Sequence, residues 1–336
     1  MQALSRMDTW RRDLLRAGLA GAVWLGLGDC VSGATVPEKH AFPNRPVVPK
    51  KSAVAVVRVA DHPDAAAAVR AAVEMAGGLS FLRAGQSVLL KPALNSGKPY
   101  PATADPETVL TIARMVLEAG GKPFIADRTM FLRSTREAFA KTGMLDAARI
   151  ARIPCIALED TPALSLSHPL AANWSGRALP VYELAARADH IINLCTARTH
   201  RLGDLTMSIK NNVGLVAGGR RARMHLGGAF RSRLAEIALV MRPSLIVLDA
   251  RLGFSDGGPD EGALVKPGLI VAGTDPLAVD ATGVAVLRAQ GTNAALSSGS
   301  IWTIPMLQRA TEIGLGAAGP SAVQVVGDAS LTPFLT

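Results

Sequence analysis

Only three cysteines, Cys30, Cys155 and Cys195, occur in 336 residues, and none forms a C-x-x-C pair. That spacing excludes the close-set thiolates that hold a structural zinc or an iron–sulfur cluster, so no protein-ligated iron–sulfur cluster is expected. Aromatics are also scarce, at 4% of residues, too few for a base-stacking platform on nucleic acid. There is no Walker loop, no G-x-S-x-G elbow and no G-x-G-x-x-G after a strand. The usual sequence supports for nucleotide hydrolysis, serine hydrolysis and dinucleotide binding are therefore missing. The longest apolar run, Ala17 to Gly28, is too short to span a bilayer as a stable helix.

The middle of the chain lacks acids. From Arg198 to Arg233, Arg198, Arg201, Lys210, Arg220, Arg221, Arg223, Arg231 and Arg233 face one acid, Asp204, so the segment carries +7 of the chain's formal +9. Residues 1–51 add +4, leaving the remainder at −2. The basicity is one tail plus one local patch, a pattern that suits a small anionic ligand and gives no charged face for nucleic acid.

The tail has the form of an export signal. Thr9-Trp10-Arg11-Arg12-Asp13-Leu14-Leu15-Arg16 is similar to the twin-arginine motif and precedes the apolar run. Ser32-Gly33-Ala34 supplies the small residues read by signal peptidase. The reading is a twin-arginine-type signal peptide over 1–34, a proline-rich linker over 35–51 and one α/β domain over 52–336. The mature protein is then periplasmic or otherwise exported, the export machinery is a partner, and no stable span remains after cleavage. Asp29 stands where a lipoprotein box before Cys30 needs a small residue, which argues against a lipid anchor. The route carries folded proteins, often with a cofactor loaded, but the sequence identifies neither a cofactor nor a metal.

Strands and helices alternate along the rest. Strands are expected at Ala53–Val59, Ser87–Leu90, Pro123–Ala126, near Cys155, at His190–Leu194, Leu245–Leu248 and Leu269–Ala272. Asp105-Pro106 and Asp275-Pro276 read as N-caps followed by proline at the first helical position, and Ser232 as the cap of a helix running to Met241. Apolar strands separated by helices imply a mostly parallel sheet covered on both faces, a Rossmann-like three-layer architecture, with residues 160–182 as a possible inserted lobe. In such sheets ligands gather at the carboxyl ends of the strands.

Several of these stretches resemble the DUF362 family, a group of largely uncharacterised proteins. The similar segments are Lys91-Pro92-Ala93-Leu94-Asn95, Asp105-Pro106-Glu107, Ile191-Ile192-Asn193-Leu194, Arg198-Thr199-His200, Ser208 to Gly214 with His225, Gly257-Gly258-Pro259, and Gly273 to Asp280. The family name carries no reaction. Some members carry ferredoxin-type cysteine clusters, and members often have proline and lysine where this chain has Cys195 and Thr196.

These segments hold the candidate site. Lys91 closes an apolar strand, where its ammonium can bind an anion or, if desolvated, act as a base. His200 and His225 suit acid/base work or metal binding, although their separation fits no close-spaced metal motif. Asn95, Arg198, Lys210 and Asn211 are candidate substrate-binding groups, and Asp127, Asp249 and Asp280 candidate supporting carboxylates. Asp280 lies inside an apolar helix and needs a partner, for which a basic residue is the natural expectation. Asp256-Gly257-Gly258-Pro259 has the composition of a turn that gates or simply turns. The expectation is one rim pocket taking a small carboxylate-bearing anion, either as an enzyme using acid/base chemistry or as a non-catalytic anion-, metal- or cofactor-binding protein.

Overall fold

Short runs rich in Val, Ile and Leu suit strands buried on both sides, and most such runs here are followed by a helix that covers them. The computed structural model describes residues 51–130, 132–218, 224 and 228–336. The segments expected to be signal and most of the linker, together with His225, Arg220, Arg221 and Arg223, lie outside the described residues.

Strand β1 (Ser52–Arg58) leads to α1 (Ala65–Met75), β2 (Ser87–Pro92) to α2 (Pro106–Glu118), and β3 (Lys122–Asp127) to α3 (Thr135–Lys141), α4 (Met144–Ala151) and β4 (Cys155–Ala157). The lobe over 160–182 is an antiparallel pair, β5 (Ala163–Ser167) and β6 (Ala178–Tyr182). Then come α5 (Glu183–Arg187), β7 (His190–His200), β8 (Asp204–Thr206), α6 (Ser208–Asn211) and α7 (Phe230–Ile237). The chain finishes with β9 (Leu245–Phe254), β10 (Leu264–Val265), β11 (Leu269–Gly273), α8 (Pro276–Ala289), α9 (Ala294–Ser297), α10 (Pro305–Glu312) and β12 (Val323–Gly327).

All but β5 and β6 join one sheet, in the order β12-β1-β11-β9-β7-β2-β3-β4, with β8 beside β7 and β10 beside β9. Strands β9, β7, β2, β3 and β4 run parallel, whereas β11 is reversed between β9 and β1. Alternate residues of each strand enter different cores. Leu89, Phe124, Ile191 and Leu248 pack with α7, α8 and α10 on one face. Leu90, Ile125, Ile192 and Val247 pack with α1, α2 and α4 on the other. The result is the three-layer α/β arrangement expected of non-alternating strands. Among the described residues, no helix is long and apolar enough to cross a membrane.

Two boundaries differ from the sequence reading. Strand β7 does not stop near Cys195 but runs on to His200, because β8 (Arg198↔Thr206, His200↔Asp204) and the extension of β9 (Arg198↔Phe254) supply a hydrogen-bond ladder for its polar half. Ser232 is inside α7 and does not cap it; Ala229 precedes the helix, and the buried Phe230, Leu234 and Ile237 set its span. Side-chain capping holds at the two Asp-Pro sites, where Asp105 accepts from Glu107 N and Asp275 from Leu277 N and Ala278 N.

Candidate functional site

The parallel strands β2, β3, β7 and β9 bring their carboxyl ends to one rim. Lys91, on β2, is opposite Asn193 on β7. Its ammonium does not emerge into solvent; the residue is 1% exposed. Nζ donates to the Pro92 carbonyl at 2.7 Å and to Asn211 Oδ1 at 3.0 Å, and forms an ion pair with Asp127 at 2.9 Å. Three acceptors match the three donors of an ammonium, which is what permits a charge this deep. Asp127 also accepts from the Arg128 amide at 2.7 Å. Gly214 closes over the pair. A Cβ there would collide with Asp127 Oδ1 and come within 3.0 Å of Lys91 Cε, so no larger residue fits without moving the ion pair.

Amides extend this cluster. Asn211 Nδ2 donates to Asn193 Oδ1 at 2.8 Å, and Asn193 Nδ2 donates to the Ser208 carbonyl at 2.9 Å and to Asn212 Oδ1 at 3.1 Å. The fully buried Asn212 Nδ2 has no partner among the described residues. The short helix α6 that carries Lys210 and Asn211 is anchored from below by Asp280 of α8, which accepts from Ser208 N at 2.8 Å and Ile209 N at 3.1 Å. The expected cation partner for Asp280 is thus replaced by backbone amides. Burial pushes its carboxyl up to about 6, and the Ser208 hydroxyl with the amides of Ile209 and Ser208 holds it from rising further. Burial likewise pushes the Cys155 thiol up to about 12 and raises the Cys195 thiol well above its ordinary value, so neither is a ready thiolate.

His200 ends β7. Its Nδ1 accepts from Leu202 N at 3.1 Å and Gly203 N at 3.0 Å, which places the proton of the neutral ring on Nε2. Lys210 Cδ and His200 Nδ1 each lie 3.5 Å from the position a Cβ would take on Gly203, so the two side chains flank the same turn. Asp204, the sole acid of the basic segment, is bound by Arg231 through Nε at 2.6 Å and Nη2 at 2.8 Å.

The remaining predicted residues are placed elsewhere. Asp249 shares the strand parity of Val247 and points to the α2 face, where Tyr100 (2.7 Å), Thr108 (2.7 Å) and Arg251 (2.7 Å) donate to it. Lys91 shares the parity of Leu89 and sits on the opposite face. Burial and the Asp249 charge raise the Tyr100 phenol above its ordinary range; burial opposes charge on Arg251, but its bonds to Asp249 outweigh that and raise it. Arg198, 2% exposed, donates to the carbonyls of Ala102 and Pro259 (2.7 Å to the latter). Asn95 donates to Asp260 at 2.7 Å. The rim therefore brings together Lys91, Asp127 and Asn211, and separately His200 and Lys210, while Asp249 belongs to another network.

A model of the family described as "Domain of unknown function (DUF362)" matches residues 88–285, well over half of the chain and every residue of the clusters above. The chain belongs to the DUF362 family. It is also similar to a Synechocystis sp. protein named "Thylakoid-associated protein sll1697", at 32% identity over 226 residues, covering 64% of this chain and 67% of that protein. Among the described residues of this DUF362 protein, no group of three or more His, Cys, Asp or Glu is arranged to hold a metal ion. The residues that sequence reasoning overlooked are Asn193, Tyr100, Arg133, Arg251 and Asp260. Asn193 had a signal, an amide inside the apolar strand Ile191-Ile192-Asn193-Leu194, since buried polar groups require partners. Tyr100, Arg133 and Asp260 had none, because their partners are distant in sequence, whereas Arg251 stands two residues from the Asp249 it binds.

Proposed function

We propose that this DUF362 protein binds a small carboxylate-bearing anion at the carboxyl rim of its sheet, with Lys210 and the Nε2–H of His200 as the donors that meet it. The observation that carries this reading is the turn at Gly203. The backbone amides of Leu202 and Gly203 occupy the His200 Nδ1 lone pair, so the imidazole offers a donor beside the Lys210 chain. A donor next to a cation favours an anion. Lys91 and Asp127 act behind it by holding Asn211 and hence α6. Titration calorimetry with short mono-, di- and hydroxycarboxylates and with inorganic phosphate tests the reading. At least one carboxylate binds, and Lys210→Ala and His200→Ala each weaken it by about tenfold or more, roughly 1.4 kcal/mol; unchanged affinity in both variants sinks it.

Acid/base catalysis is the second reading, favoured by the buried Lys91–Asp127 pair at 2.9 Å, across which a proton can be shared. Wash-in of solvent deuterium at the α-carbon of the bound carboxylate separates the two, since a binder shows none. The twin-arginine-like Arg11-Arg12 supports export to the periplasm, and a relative named for thylakoid association is compatible with an address at or beyond a membrane.

A further inference from the structure

Between β9 and β10 the segment Ser255-Asp256-Gly257-Gly258-Pro259-Asp260-Glu261-Gly262-Ala263 crosses over β7. Gly258 N donates to Thr199 Oγ1 at 3.2 Å, and a Cβ on Gly258 would collide with the Thr199 carbonyl, so only glycine lets the loop lie this close. Beyond that contact the loop delivers Asp260 to donors from two other rim loops. Asn95, after β2, donates to Oδ1 at 2.7 Å, and Arg133, after β3, donates to Oδ2 at 2.7 Å. Each carboxylate oxygen has its own donor, the pattern by which proteins recognise a carboxylate.

Arg198 of β7 backs this arrangement. It is buried, its Nε has no partner among the described residues, and none of the ion pairs formed by those residues includes it. Burial lowers its pKa to about 10, and the attraction that opposes this comes first from Asp260. Burial works to raise the Asp260 carboxyl, but Asn95, Arg133 and the charge of Arg198 outweigh it and hold it below its ordinary value. One guanidinium and one amide thus hold the two oxygens of one carboxylate, with the buried charge of Arg198 behind them. The loop itself is held mainly by hydrogen bonds and ion pairs. Between Phe254 and Leu264 it has no large apolar side chain, and Asp256, Glu261, Gly262 and Ala263 are exposed.

We propose that Asn95 and Arg133 form a carboxylate-binding site that Asp260 fills as an internal ligand, and that a free small carboxylate takes the site by displacing the loop 255–263. This goes beyond the reading of Lys210 and His200 and fails separately, because its donors are different side chains. The Lys98–Glu261 ion pair and the Asn293 bond to Asp256 then act as latches that set how readily the loop lifts.

The test is acetate binding by calorimetry in the purified protein, with chloride holding the ionic strength constant. Asp260→Ala binds acetate at least tenfold more tightly than the wild type, and adding Arg133→Ala removes that gain while Lys210→Ala leaves it. No gain in Asp260→Ala overturns the proposal, and phosphate bound as tightly as acetate overturns the assignment to carboxylates. If Asp260→Ala does not fold, hydrogen exchange in the wild type decides. The amides of Ser255, Gly258 and Ala263, which are hydrogen-bonded in the closed loop, exchange faster in acetate than in chloride; equal rates overturn the proposal.

Discussion

Lys91 shows how one residue can be found in a sequence and its circumstances missed. Its position at the end of an apolar strand was legible, but the Asp127 carboxylate that meets it comes from the next strand of the sheet, 36 positions away in sequence, and only strand pairing brings the two together. Removing one partner of a buried pair strands the other charge, so Lys91→Met should cost about 3–5 kcal/mol in urea unfolding. The double variant Lys91→Met/Asp127→Leu should recover part of that loss. A single variant within 1 kcal/mol of wild type would mean that the pair contributes nothing. Asp280 gives a pH prediction. With its carboxyl pushed up to about 6, the folded chain binds more protons than the unfolded chain from roughly pH 4 to 6. Its contribution to stability therefore falls as pH rises through that window and is level above it. The stability of wild type relative to Asp280→Asn should drop by about 2–3 kcal/mol between pH 4 and pH 7. A difference that does not change with pH would show that Asp280 is not protonated in the folded state.

Elements were legible where their signals are local. Asp105 and Asp275 cap α2 and α8 through amides two or three residues on, and such bonds need nothing from the rest of the fold. The polar half of β7 was illegible, because Thr196, Arg198 and His200 become strand only when β8 and β9 ladder against them. Helix α7 is a similar case, since its fully buried Glu236 marks a junction that no pattern announced. Glu236 accepts from Asn173 Nδ2 at 2.7 Å and Arg309 Nη2 at 2.7 Å, joining α7 to α10 and to the turn between β5 and β6. Glu236→Gln keeps the volume but removes the charge that Arg309 needs, and about 2 kcal/mol or more should be lost in chemical denaturation. Amide exchange should also quicken at Asn173, whose N–H donates to the same carboxylate at 3.1 Å. Stability and exchange both unchanged would show the junction to be incidental.

At the scale of the whole molecule, the basic segment turns out less open than its composition suggests. Arg198 is spent on backbone carbonyls, Arg231 on Asp204, and Arg233 on the carbonyls of Asn173 and Met224. Folding uses part of the charge to fasten loops, while Arg201 is exposed and Lys210 is half-buried beside His200. The proposed export gives a prediction at this scale. Replacing Arg11-Arg12 with Lys-Lys should leave the precursor in the cytoplasm, measured by fractionation and the size of the accumulated chain, and undiminished delivery would remove the twin-arginine assignment. By itself the sequence determined the layer order, the family motifs, the two Asp-Pro caps and the rim on which Lys91, Asn211 and His200 fall, because periodicity and capping act over a few residues. Only the tertiary structure decided that Lys91 is neutralised by Asp127, that Asp280 caps α6 in place of pairing with a cation, that Asp249 faces away from Lys91 and that Asp260 occupies Asn95. Each of those choices depends on which strand lies beside which and on which face a side chain meets, and a buried charge settles on whatever partner that packing supplies.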